Sequence, residues 1–269
     1  MYTDKIFKYI LFIPLVLAVS CKKDRISEFT DFPIIEAYLV PGDSARVKIS
    51  RQVPFTSGVS YSEDNSDSLF ITIDCDNQTY ILTPVGDGTY VGKNLLPEAG
   101  KIYHLAFRFN SKEVKAYTQI PEVPLNFTQS DTSMVIEHQD STTGPPSGGM
   151  PDPLELTWDN PDNSYYIVVI ENIESTLDPI RDFGDETPPG NRFRKSPTKS
   201  SGLQIGSMEF QYYGTHRLIL YHVLPDYATL YENQNNSSQN LTNPSTSIQN
   251  GYGIFTGLNT DTLFIEIKP

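Results

Sequence analysis

From residue 34 onward, apolar residues recur at every second position in short runs, and each run is cut off by Gly, Pro, Asn or Asp. Tyr103, Leu105, Phe107 and Phe109 alternate with His104 and Arg108, and Ala45-Arg46-Val47-Lys48-Ile49 alternates in the same way. Successive side chains of a strand point to opposite faces, so runs of this kind bury one face and wet the other. No helical period is sustained over more than a few residues. The pattern therefore predicts an all-β molecule.

The spacing of the runs predicts two sandwiches. Ile34–Val40 ends at Pro41-Gly42-Asp43, a strong turn signal. Leu69–Cys75 and Thr79–Thr83 flank Asp76-Asn77-Gln78 as a hairpin. Gly86-Asp87-Gly88 turns into Thr89-Tyr90-Val91, and Ile102–Phe109 is followed by Glu113–Gln119. About seven short strands in roughly 90 residues is the count of an Ig-like sandwich, expected here over residues 33–123. Thr56–Ser68, rich in Ser, Asp and Gly, reads as a loop.

Pro121 and Pro124 stiffen the chain and mark a boundary. Over 124–269, Phe127–His138 is followed by a Gly/Pro-rich loop from Asp140 to Pro153. Leu154, Leu156 and Trp158 then alternate with polar residues, Asn160-Pro161-Asp162-Asn163 turns, and Tyr165–Glu171 reads as a buried strand. This order resembles the second and third strands of a fibronectin type III module. Further strands are expected at Met208–Tyr213, Arg217–Val223 and Leu263–Lys268, and one helix at Tyr227–Glu232 behind Asp226. Residues 178–202 and 233–250 read as long loops, a length usually tied to function or disorder.

The N-terminus sets the expected compartment. Lys5 and Lys8 precede an apolar core from Tyr9 to Val19, far shorter than the ~20 residues that span a bilayer. A signal peptide over residues 1–20 fits such a segment. It ends in Leu17-Ala18-Val19-Ser20-Cys21, which resembles a bacterial lipobox with Leu one place further back than is usual. Cys21 is therefore the expected lipidation site, and residues 21–32 a polar tether. Two or more acyl chains anchor stably where one does not.

Charge and thiol count fit that reading. The net charge is −13, and the segment before Cys21 holds two Lys and one Asp, so its removal leaves −14. Such a body argues against nucleic acid as a partner and against electrostatic adsorption to anionic lipid. With Cys21 lipidated, only Cys75 remains, and it shares parity with Leu69, Ile71 and Ile73, the place of a small core residue.

Several segments together resemble a known family. They are Cys21-Lys22-Lys23-Asp24, Ile34-Ile35-Glu36-Ala37-Tyr38-Leu39, Val47-Lys48-Ile49-Ser50-Arg51, Gly88-Thr89-Tyr90, Gly100-Lys101-Ile102-Tyr103-His104-Leu105, Ile120-Pro121-Glu122-Val123-Pro124 and Asn250-Gly251-Tyr252-Gly253-Ile254-Phe255. The chain is similar to Bacteroidetes lipoproteins grouped as a domain of unknown function, family four-two-four-nine, often encoded beside TonB-dependent outer-membrane receptors. The resemblance implies an outer-membrane anchor and a receptor or transporter as partner. It carries no catalytic residues, and the single acid in Lys22–Arg25 leaves the membrane face open.

The residues offer little chemistry. His216 and His222 share parity but lie six residues apart, about 20 Å at ~3.3 Å per residue, too far for one ion. His138 with Asp140 could converge, although an exposed strand end is the blander reading. Asp64-Asn65-Ser66-Asp67 and Asp74-Cys75-Asp76-Asn77 offer oxygen ligands without full Ca²⁺-loop spacing, and turn chemistry explains them. No Gly-x-Ser-x-Gly elbow occurs. No catalytic, cofactor or metal residue is therefore assigned.

What remains is aromatic richness, 16 Tyr and 14 Phe. The adjacent pairs Tyr165-Tyr166 and Tyr212-Tyr213 point to opposite faces of a strand, so one member of each is expected to face solvent or a second layer. Arg192, Arg194 and Lys195, in the loop Arg181–Lys199, form the one basic patch, either a docking site or a solvated loop. The function expected is a non-enzymatic, lipid-anchored binding or accessory protein of an outer-membrane receptor or transport complex. An adhesive or structural surface module and an exported hydrolase are the alternatives.

Overall fold

The computed structural model describes residues 32–51, 68–138, 149–183, 187–232 and 247–269. The expected signal segment, Cys21, the tether as far as Asp31, Asp64–Asp67 and Asp140 lie outside them.

The molecule is all-β, built of packed sheets. The first half carries β1 (Pro33–Leu39), β2 (Ala45–Arg51), β3 (Ile71–Cys75), β4 (Gln78–Ile81), β5 (Thr83–Gly86), β6 (Thr89–Gly92), β7 (Ile102–Phe109) and β8 (Lys112–Gln119). One sheet runs β1-β2-β6-β5 and the facing one β4-β3-β7-β8. Asp76 and Asn77 take φ of 50° and 63°, the left-handed pair a two-residue hairpin needs. The alternation read from sequence becomes the core. Ile35, Leu39, Val47, Ile49 and Tyr90 pack against Ile71, Ile73, Leu105 and Phe107, all essentially without solvent contact. Each such side chain contributes about 1.5–3 kcal/mol. Where one strand was expected at Thr79–Thr83, the chain changes sheets at buried Leu82, whose N–H donates to the Ile71 carbonyl.

The second half adds β9 (Thr128–Gln129), β10 (Ser133–Val135), β11 (Leu154–Thr157), β12 (Tyr165–Asn172), β13 (Arg192–Arg194), β14 (Gly202–Ile205), β15 (Gly214–Val223), helix α1 (Pro225–Glu232) and β16 (Tyr252–Lys268). Three sequence expectations change here. Met208–Tyr213 is not a strand. Its start is a 3-10 turn, Ser207–Glu209, closed by the Glu209 N–H on the Gly206 carbonyl at 3.0 Å, and the Glu209 carboxylate receives the Lys195 ammonium at 2.8 and 2.9 Å. Residues 178–202 are not one exposed loop, since they hold β13, and Ile180 is buried. The strand expected at Leu263–Lys268 is only the end of the 17-residue β16. Most of β16 is covered on both faces, so residues 252–262 lack the alternation that marks a half-wet strand.

β16 organises the molecule. Its first six residues pair in parallel with β1, Ile34 with Tyr252 through Leu39 with Gly257. From Leu258 it pairs antiparallel with β15, Val223 with Leu258 through Gly214 with Ile267. A continuous sheet, β13-β12-β15-β16-β1-β2-β6-β5, therefore crosses the expected division at residue 123, with β10 joined to β16 and a small sheet β14-β11-β9 facing it. Within β16 close approach demands glycine at two points. A Cβ on Gly253 (φ +100°) would lie 2.0 Å from the Ile35 carbonyl oxygen, and one on Gly257 2.3 Å from that of Gln119. The proline linker is stitched to the same sheet: Asn259 donates to the Pro121 carbonyl at 3.0 Å and His222 Nδ1 to that of Glu122 at 2.8 Å.

Candidate functional site

Arg192-Phe193-Arg194 is an edge strand of three residues, opposite Glu171, Ile170 and Val169 of β12. Alternation sends the two arginines to the outer face and Phe193 to the other. A short, charged edge also resists pairing with foreign strands. Lys195 turns away to Glu209, so of the three basic residues singled out by sequence, only Arg192 and Arg194 act together.

Beside them the outer face of the sheet forms a cleft of about 380 Å³, lined by Ile167, Val169, Arg192, Arg194, Tyr221 and Tyr227. β12 and β15 supply the floor: Ile167 and Val169 are buried, and Tyr221 lies opposite Ile167 in register. Arg192 Nη2 donates to the Tyr221 hydroxyl at 3.1 Å. The carboxylate opposite Arg192 in register, Glu171, is engaged by Arg217 Nε at 2.6 Å. Among the described residues Arg192 has no acidic partner.

Helix α1 closes one end. Leu224 accepts its first backbone bond, from Ala228, and Pro225 occupies the first turn, where a missing N–H costs nothing. The helix docks through Ala228, packed with Val223 and Leu258, and through Asp226, which accepts from Thr256 Oγ1 at 3.0 Å and from the Tyr227 N–H at 2.8 Å. Burial raises the Asp226 carboxyl above its ordinary value, opposed by those two bonds. Tyr227 meets Tyr38 of β1 edge-to-face at 5.6 Å, so the helix lies across both halves. Tyr221 and Tyr227 were not singled out from sequence. Parity put Tyr221 on a face with Arg217 and Ile219, but nothing told which strand would pair beside it.

The remaining candidates lie elsewhere. His216 and His222 share the inner face of β15 but sit in separate hydrogen-bonded sites. His216 Nδ1 donates to the Gly214 carbonyl (3.0 Å) and its Nε2 accepts from Asn172 (3.3 Å), while His222 stacks on Tyr166 at 4.7 Å. Burial lowers the His216 pKa. Asp74 accepts from Thr79, and Asp76 pairs with Lys101 at 3.3 Å, so both carboxylates serve the hairpin. Cys75 is a buried core residue, and burial raises its thiol pKa. Among the described residues no group of three or more His, Cys, Asp or Glu could hold a metal ion. No helix among them is long and apolar enough to cross a membrane.

The tyrosine pairs divide. Tyr166 is buried, and Tyr165 lies partly covered on the outer face beneath Lys199, whose ammonium is 4.5 Å from the ring centre. Tyr212 and Tyr213 are both buried, which corrects the opposite-face expectation: they are not in a strand. Their hydroxyls donate to the Pro189 and Ile136 carbonyls.

A family model described as a domain of unknown function (DUF4249) matches residues 23–263. No curated protein matches the chain.

Proposed function

Since the chain belongs to the DUF4249 family, a domain of unknown function, we propose that it is a lipid-anchored binding or accessory protein of an outer-membrane receptor or transport complex. The cleft of Arg192, Arg194, Tyr221 and Tyr227 carries this reading. It combines a guanidinium with no acidic partner among the described residues, two tyrosine rings and an aliphatic floor on one sheet. Preformed concave sites with a few placed polar groups are where ligands bind. Tyr and Arg are the residues most often dominant in recognition.

The strand orders support reading the halves as Ig-like and fibronectin type III-like. In immunoglobulin lettering β1-β2-β6-β5 over β4-β3-β7-β8 corresponds to A-B-E-D over C′-C-F-G. β9-β11-β14 over β13-β12-β15-β16 corresponds to A-B-E over C′-C-F-G. Folds of this kind host many functions, so the cleft and not the fold supports binding. The membrane anchor rests on the lipobox-like Leu17–Cys21.

Two measurements test the proposal together. Labelled palmitate enters the wild-type protein and is absent from Cys21→Ala, which leaves the membrane fraction. Crosslinking in intact membranes captures an outer-membrane receptor or transporter with the anchored form. Membrane retention of Cys21→Ala at unchanged mass overturns the anchor. Absence of any partner, with cleavage of a glycan or peptide polymer by the purified protein, overturns the binding role.

A further inference from the structure

We infer that the cleft takes a small oxyanion, a carboxylate or phosphate carried on an aromatic or aliphatic body, held by Arg192 and the Tyr221 hydroxyl. This names a ligand class for the site proposed above and rests on its being a binding site, but not on the anchor or the receptor.

The donors come first. A guanidinium presents five N–H groups in a planar fork that fits carboxylate and phosphate oxygens. Arg192 uses one of its terminal nitrogens on Tyr221. The nearest acid in register, Glu171, is already bound to Arg217. Among the described residues no carboxylate engages Arg192, and its remaining N–H groups lie at the cleft. The Tyr221 oxygen accepts from Arg192, which leaves its own proton for a further acceptor beside the guanidinium. Arg194, two positions along on the same face, adds positive potential.

The rest of the cleft sets what must accompany the charge. Ile167 and Val169 form an apolar floor and the Tyr221 and Tyr227 rings the sides. A free inorganic ion would leave that surface wet, whereas an aromatic or branched aliphatic body covers it. A volume of about 380 Å³ lies at the small end of ligand pockets, which suits a metabolite-sized molecule better than a polymer.

The test uses purified full-length protein in neutral detergent, with ¹³C-labelled tyrosine rings followed by NMR. Benzoate and phenyl phosphate supply both features, benzyl alcohol only the body, and inorganic phosphate only the charge. The expected result is saturable shifts with benzoate or phenyl phosphate, and affinities at least about tenfold weaker for the two single-feature probes. The tighter of the two anions identifies the oxyanion. Arg192→Met is expected to lose about tenfold or more, Tyr221→Phe less, and Arg192→Lys to fall between wild type and Arg192→Met. Equal melting temperatures show that the fold is kept; Arg192 is exposed, so they are expected to match. No saturable shift with either anion, or unchanged affinity in Arg192→Met, overturns the inference. Benzyl alcohol binding as tightly as benzoate overturns the oxyanion, and inorganic phosphate binding as tightly as phenyl phosphate overturns the apolar body. Failure here with successful capture of a membrane partner discards the ligand class and leaves the binding role standing.

Discussion

His216 and Arg192 illustrate two opposite ways in which single residues of this chain meet charge. His216 lies 2 % exposed between the Asn172 amide and the Gly214 carbonyl, a site with one acceptor and one donor for the ring. That arrangement suits the neutral ring, and burial lowers its pKa from the ordinary 6.5. The unfolded chain therefore binds a proton at higher pH than the folded one. Stability is expected to fall as pH drops through about 6.5 toward the lower folded value. Denaturant midpoints from pH 7.5 to 5 should show that fall, and His216→Gln should flatten it. A slope that persists in the variant assigns the effect to other groups. Arg192, by contrast, is exposed and permanently charged, and its worth lies in what it leaves unsatisfied.

At the scale of elements, β16 decides how the halves relate. Gly257→Ala puts a methyl group against the Gln119 carbonyl at the joint between the parallel and antiparallel stretches of the strand. A cost of at least about 3 kcal/mol is expected, the upper end for overpacking. Because both cores use the strand, the variant should still unfold in one transition, read by tryptophan fluorescence from Trp158 in the second half and by Cys75 thiol accessibility in the first. Two separated transitions would mean that the halves fold independently. The alternating strands β1, β2, β3, β7 and β8 were legible in the sequence because one face of each is buried and the other wet. β16 was legible only at its end, Leu263–Lys268, because burial on both faces erases alternation over the rest. β13 was hidden for a different reason: three residues at a sheet edge carry no period at all. The arginines could thus be recognised as a basic patch, while the cleft depended on β13 pairing beside β12, a contact no local pattern encodes.

For the whole molecule, the sheet running from β13 to β5 makes the two halves one scaffold, and α1 lies across the joint. A scaffold of this kind carries the cleft on one continuous sheet. The net charge of −13 opposes adsorption to anionic lipid, and on the proposed reading a partner meets the basic edge. The most direct test compares wild type with Arg192→Glu in intact membranes, at equal expression and equal melting temperature, by quantitative crosslinking to an outer-membrane receptor or transporter. The account predicts that the reversed charge lowers capture of that partner by about tenfold or more. Equal capture by the two proteins would contradict it and place recognition elsewhere on the surface.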